Sequence, residues 1–474
     1  MKNIKLILLS CLMVMLTFSS CDETLDINTD PQAAPNANPN ALFPYVFTTY
    51  SARTVTELGT RICDVSQYIS NTFNSPNRGN VSQFLTGNAW RVYYTDVLSN
   101  LSLVIRDAEA AGASSNNINA VAKIFSAHIY IQSTSLWEDI PFTEALNFDQ
   151  FPTPQFDSQR DVLLGVVALL DESIQLIDTR DTSSEFDFQV GDILYDGEIS
   201  KWRILANSLK LRALMLLRSG GEDVTTQINA TLAQPLMSDN ADAAFIPYSG
   251  DPGQQNAMAT IISQFFGAGG NEVQNIFGPG DPIDALLNGS GDPRWDLWVA
   301  RNDLPAPGND VFPNNADSVL SNNIIRTTLP DMIMTPAEMD LYKAELALDG
   351  FTAAGDAQTN YRNGVRNSID WWNGDIPGFT GTAVAPADVT AYVNGLATPT
   401  ANDIFNEQYL ASFLMPVLSW NHVRRNRVPV LSPPPAATIP TILKRFTYPV
   451  DETGANPNTP SNKLTEDPMW FENL

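Results

Sequence analysis

Apolar positions along the chain recur mostly with a helical period. Val97, Leu101, Val104 and Ile105 share one face across 91–110, and Val121, Ile124, Phe125, Ile129 and Tyr130 do so across 119–136. Val162, Val166, Leu169, Leu170, Ile174 and Ile177 form a stripe that predicts a helix over 158–178. Ser158, with Asp161 three places on, supplies its cap. Over 198–218, Trp202, Leu205, Leu209, Ala213 and Leu216 lie on one side, leaving Arg203 and Lys210 for solvent. Thr335, Pro336 and Glu338 read as a capping box with proline at the first helical position. Met339, Tyr342 and Leu346 carry that helix to Asp349-Gly350. Further helices are predicted over 356–370 and, through Ile404, Gln408, Leu410 and Phe413, over 401–420.

Between these segments the period is lost. Residues 220–330 are rich in Gly, Asn, Asp and Pro, with short apolar pieces such as Ala243–Tyr248, and predict long loops with short helices and a small hairpin. Residues 371–400 read as loop, apart from a short piece near 387–396. Pro31, Pro35 and Pro39 among repeated Asn predict an extended tether over 21–44. No run of alternating strands and helices supports a doubly wound sheet. The expected fold is therefore mainly α. Helix pairs support a loop-rich irregular part with minor short strands, and residues 45–474 form a single body. No exact repeat is visible, although paired helices can stack as a solenoid.

The first twenty residues are a label rather than structure. Lys2 and Lys5 precede an apolar run from Leu6 to Leu16, and Ser19-Ser20 stands before Cys21. These are the parts of a secretory signal, too short in its apolar run to span a membrane comfortably. Cleavage before Cys21 with lipid on its thiol is the expected outcome. Cys11, Cys21 and Cys63 are the only cysteines, which excludes a disulfide framework. Cys63 reads as a buried small hydrophobe.

Charge narrows the partners. The 474 residues carry 27 Lys+Arg against 53 Asp+Glu, a formal charge of -26. Such a surface repels nucleic acid and anionic lipid. Membrane attachment then depends on Cys21 and a protein partner. Charged residues make up only 17% of the chain, against about 25% in an ordinary soluble protein. Neutral polar residues and 32 prolines fill the difference, as in a loop-rich extracellular surface.

Candidate chemistry is sparse. His128 and His422 are the only histidines, and neither stands in a metal-binding or nucleophile motif, so no metal or cofactor is expected. His128 reads as packing and His422 as part of a turn. Asp and Asn could hold a structural calcium through oxygen, but no EF-hand loop is present. Fifty-three acids leave a glycosidase pair open without nominating one. A carbohydrate ligand stacks its C–H face on an indole. Trp371 and Trp372, followed by Asn373 and Asp375, are therefore the candidate ligand-binding residues; the alternative is that both indoles anchor a loop. Trp295 and Trp298 read as packing.

Several stretches, in order, resemble the SusD/RagB family of Bacteroidetes outer-membrane nutrient-binding lipoproteins, in its SusD-like branch. They are the signal ending at Cys21 with Asp22-Glu23 after it, DINTDP at 26–31, and WEDIPFTEAL at 137–146, where Glu138 stands in place of a usual Gly. KWRILANSLKLRAL at 201–214, DPRWDLW at 292–298, and the A-E-x-A-x-x-G core Ala344–Gly350 follow. Tyr361, Gly364, Val365 and Ser368 match the next helix of the family, and Glu407, Trp420 and Arg424-Arg425 its late segment. The resemblance implies tetratricopeptide-like helix pairs in an α-α superhelix. It implies a surface-exposed, lipid-anchored protein that caps a SusC-like TonB-dependent barrel and passes it an oligosaccharide or, in some branches, a peptide. It implies no covalent chemistry, and it makes Trp202, Asn207, Arg212, Glu345 and Arg424 scaffold residues. A surface glycoside hydrolase and a structural cap without ligand affinity are the alternatives.

Overall fold

The structure, a computed structural model, describes residues 38–54, 62, 65–71, 81–177, 191–260, 277–301, 318–433 and 440–472. The signal, Cys21, Cys63 and most of the tether lie outside the described residues. Pro39–Leu474 forms one compact unit. It opens with α1 (Pro39–Thr54), so the extended reading fails for its last residues. Pro39 sits first in the helix, where a missing N–H costs nothing. Phe43, Val46, Phe47 and Tyr50 then bury one face.

A long helical run follows, as α2 (Gln83–Arg91), a π-helical stretch (Val92–Leu98) and α3 (Ser99–Ala111). Next come α4 (Asn116–Trp137), α5 (Gln159–Leu176) and α6 (Ile199–Ser219), each packed on its neighbour in sequence. Ser158 caps α5 as its spacing predicts: its hydroxyl accepts from the Asp161 N–H. A second set holds α7 (Pro336–Leu348), α8 (Ala357–Asp370), α9 (Pro386–Gly395), α10 (Ala401–Ala411) and α11 (Pro416–Asn426). Helix α7 packs on α8, and α10 on α7 and α11. Gly364 permits the first of these approaches. A Cβ there would lie 2.7 Å from Leu341 Cγ and 3.3 Å from the Ala337 carbonyl oxygen.

Two further expectations are corrected. The helix predicted over 401–420 is two helices, because Pro416 cannot continue the first and Leu414 turns the chain with φ +63°. The capping box at Thr335 does not form; Glu338 sends its carboxylate into the core to Arg212 instead. Ala244–Ile246 is extended. It is β2, after β1 (Ile69–Asn71), and it pairs antiparallel with β6 (Asp331–Met334). The other strands are β3 (Phe277–Pro279), paired with β1, and β4 (Val299–Arg301), paired with β5 (Ser318–Leu320).

These two-stranded sheets and the connecting loops surround an apolar cluster containing Trp298, Trp371, Trp372, Tyr409 and Phe413. Trp298 stacks on Phe413 with centroids 4.1 Å apart. The fold is the mainly helical one expected, with minor short strands, four of the six described ones lying within 220–330.

Candidate functional site

The expected scaffold residues sit in satisfied buried networks. Trp202 donates from Nε1 to Asp192 Oδ2 at 2.7 Å, and Asn207 donates to the Pro235 carbonyl at 3.0 Å. Arg212 grips both oxygens of Glu338 at 2.7 and 2.6 Å and also donates to the Ile333 carbonyl. Glu345 accepts two bonds from Arg425 at 2.6 and 2.7 Å and one from Gln408. Burial opposes its charge, but Arg425 holds the carboxyl below its ordinary range. Arg424 lies 3.9 Å from the Trp420 ring centroid and donates to the Ser135 and Lys444 carbonyls. Glu138, at the place of the usual glycine, keeps a positive φ of 74°. Arg445 and Lys463, at 2.6 and 2.5 Å, hold it there.

The aromatic pair does not form a platform. Trp371 and Trp372 are each 2% exposed and belong to the core cluster, so neither offers a ring face to a ligand. Their apolar area is worth more in the core than at the surface, and the following π turn (Trp371–Asp375) folds them inward. Asn373 clamps the Val384 backbone from both sides, at 2.9 and 2.6 Å. Asp375 accepts from Asn240 at 2.7 Å. Both histidines are buried, and desolvation holds their pKa well below the ordinary value. Among the described residues no three or more His, Cys, Asp or Glu gather as a metal set.

A cleft lies where the two halves meet. Tyr50 and Thr54 come from α1 and Gln132 from α4. Leu329–Ile333 enters with β6, and Leu414–Leu418 with the turn before α11. It holds ≈ 50 Å³ of space open to water. Most of the wall is apolar, including Met258, Met332, Met415 and Leu418. Asn256 fixes one wall by donating to the Leu329 carbonyl and accepting from the Met258 N–H.

Tyr50 and Asp331 connect the cleft wall to a group of polar side chains behind it. Tyr50 hydrogen-bonds His128 Nε2 at 2.9 Å, and Ser51 hydrogen-bonds Tyr248 at 2.5 Å. Ser51 also bonds the Asp331 carboxylate, yet Oδ2 of Asp331 is shielded and has no partner. Oε1 of Gln132 is likewise shielded and unpartnered. Burial pushes the Asp331 carboxyl up to about 7. An apolar cavity with a few convergent polar groups is the usual form of a small-ligand site.

A second hollow, lined by Trp90, Tyr94, Leu146 and Glu452, offers more room at ≈ 420 Å³. Trp90 is stacked on Tyr94 at 4.6 Å and on Phe156 at 6.1 Å, so its ring faces are already covered. Its Asn456 is committed to Pro154 and Glu452. Sequence reasoning missed Asp331, Gln132, Tyr50 and Ser51. The available signal was an acid opening the apolar run Met332–Met334.

Stacked helix pairs support a loop-rich part, and an apolar cleft lies at their junction. Residues 31–449 match the SusD-like family described as "Starch-binding associating with outer membrane". The chain belongs to that family, whose members are outer-membrane binding proteins rather than enzymes. No curated protein matches it. Among solved structures it is similar to a SusD-like protein of Bacteroidetes, at TM-score 0.76 and 22% identity over 92% of this chain and 99% of that one. A chitin-binding SusD homologue from Flavobacterium johnsoniae follows at 0.73 and 20%, covering 92% and 98%. A SusD homologue from Bacteroides uniformis stands at 0.72 and 19%, covering 92% and 99%.

Proposed function

We propose that the protein is a lipid-anchored surface lid. It would catch a nutrient ligand, most simply an oligosaccharide, and close it into a SusC-like TonB-dependent barrel. The observation that carries this reading is the family match over 31–449. The junctional cleft gives it a place to act, and the chitin-binding relative suggests the ligand class. Cys21 would carry the lipid that so acidic a chain needs in order to stay at a membrane. Phe84, Phe148 and Val450 are 74%, 75% and 62% exposed on segments bordering the second hollow. Apolar groups so exposed suit a protein partner.

Calorimetry with chitin and starch oligosaccharides and with short peptides tests ligand capture. Heat of binding from one class is expected, and flat traces throughout would leave only a structural cap. Cys21→Ala should move the protein to the soluble fraction; retention at the membrane in cells lacking the barrel would refute the anchor. Phe148→Asp should weaken co-purification with the barrel, and unchanged recovery would free that surface of the role.

A further inference from the structure

A third hollow opens at the end of α4, beside Glu138 at the place of the usual glycine. It holds ≈ 390 Å³ of space open to water and shares no lining residue with the junctional cleft. Glu138 gathers its walls. The positive φ of 74° is costly for a residue with a Cβ, and the carboxylate that this residue brings is fully engaged. Arg445 and Lys463 donate to Oε2 at 2.6 and 2.5 Å, and the Trp470 N–H donates to Oε1 at 2.7 Å. One carboxylate thus draws Lys463 and Trp470 to a single wall. Asp139 comes next in the chain, and its carboxylate lies close enough to interact with the charges of Glu138 and Lys463.

Several groups of the hollow are already committed. Arg160 bonds Glu222 and Asp161, Ser158 caps α5, and Gln159 bonds the Thr134 carbonyl and the Phe471 N–H. Three groups keep capacity to spare. Lys463 is half exposed and gives one of its three donors to Glu138. Asp139 accepts the Gln159 N–H on Oδ1. Among the described residues, its Oδ2 and the Trp470 indole N–H have no hydrogen-bond partner, and neither atom is shielded from solvent.

The indole also has a side to offer. A Cβ at Gly220 would stand 2.3, 2.4 and 2.6 Å from Cη2, Cζ3 and Cζ2 of Trp470. Distances so nearly equal put Gly220 over the ring face rather than at its edge. Trp470 nevertheless keeps part of its surface exposed and lines the hollow, so that surface lies away from Gly220. Among the described residues no other aromatic ring or cation packs on it. The charges around the hollow nearly cancel, Arg160, Lys463 and Arg445 standing against Glu138, Asp139, Asp161 and Glu222. Neither an anion nor a cation is favoured. A hydroxyl both donates and accepts, so two neighbouring hydroxyls match a free ammonium donor beside a free carboxylate acceptor. The apolar C–H face of the same sugar ring suits an indole.

We propose that this hollow is a second ligand site, separate from the cleft, that takes one residue of a neutral oligosaccharide. The sugar lays its C–H face on Trp470, with one hydroxyl on Lys463 Nζ and its neighbour on Asp139 Oδ2.

The test is calorimetry on the full-length protein with maltohexaose, chitohexaose, cellohexaose and xylohexaose, joined to hydrogen–deuterium exchange at saturation. At least one of them should bind and slow exchange over 463–471. Lys463→Met and Trp470→Leu should each weaken that binding about tenfold. Asp139→Asn keeps an acceptor for the Gln159 N–H but turns the free oxygen into a donor, and it should weaken binding as well. Lys463 is half exposed, and Glu138 retains Arg445 and the Trp470 N–H without it, so Lys463→Met leaves the fold intact even if Trp470→Leu does not. Circular dichroism checks each variant. Unchanged affinity in folded Lys463→Met and Asp139→Asn, with exchange slowed only at the stretches lining the cleft, overturns the second site and leaves nutrient capture at the cleft standing. Tighter binding of an acidic hexamer, hexagalacturonate, overturns the neutral assignment. The absence of heat from all four neutral hexamers overturns the site outright.

Discussion

Glu338 and Asp331 stand seven positions apart, at the two ends of one short segment of chain, and they meet opposite fates. Glu338, in the first turn of α7, is 2% exposed and held by both arms of Arg212. Asp331, at the start of β6, has a shielded oxygen that accepts no hydrogen bond. The helical half repeats the first pattern in Glu345 with Arg425, and the DPRWDLW segment does so in Arg294, which bonds Asp292 and Glu407. In each of these pairs the charge has its partner built in. The carboxylate at the junction lacks one. A completed pair locks two elements together, whereas an incomplete one leaves free energy for something that arrives later.

The largest effect should come from breaking a completed pair. Arg212→Ala strands a buried carboxylate and should cost about 3–5 kcal/mol in chemical denaturation. Replacing Arg212 and Glu338 together with Met should cost much less, because no orphan charge remains. A loss below about 1 kcal/mol for Arg212→Ala would erase the contrast between the two acids.

Asp331 should respond with the opposite sign. Its folded pKa of about 7 lies above the ordinary 3.8. Between these values the folded chain holds a proton that the unfolded chain has released. The stability tied to that proton is therefore complete below about pH 4, falls through the interval, and is gone above pH 7. Asp331→Asn should remove this decline and be the more stable protein at pH 8, by up to a few kcal/mol. Parallel stability curves for wild type and variant from pH 4 to 8 would show that the acid is not buried without a partner.

Smaller effects probe the packing that frames the comparison. Gly364→Ala pushes a methyl group toward Leu341 and should cost about 1–3 kcal/mol. A neutral result would mean that α7 and α8 can part to admit a methyl. Ser158→Ala removes the cap of α5 and should cost about 1 kcal/mol. Ligand affinity should be unchanged in both folded variants, since neither position lines the cleft.

The helices were legible because their apolar period and caps are local. Ser158 and the Asp349-Gly350 stop act within a turn of themselves, and both appear in the structure where the spacing puts them. The misreadings share one cause, competition from a distant partner. Thr335 and Glu338 have the spacing of a capping box, but an arginine 126 positions earlier outbids the cap. Trp371 and Trp372 beside Asn373 and Asp375 resembled a sugar platform, yet both indoles went to the core and the polar residues to neighbouring loops. The cleft was illegible for the same reason. Tyr50, Gln132, Asp331 and Met415 come from four separate stretches, and no periodicity records their meeting.

Ligand capture at the junction is tested most directly by hydrogen–deuterium exchange on the full-length protein, free and saturated with the tightest ligand from the calorimetric panel. Slowed exchange is expected at 50–54, 329–333 and 414–418, the stretches that line the cleft, with the amides of α7 and α8 unchanged. Slowed exchange confined to other segments, with those three unaltered under saturation, would contradict the assignment of the binding site to this cleft.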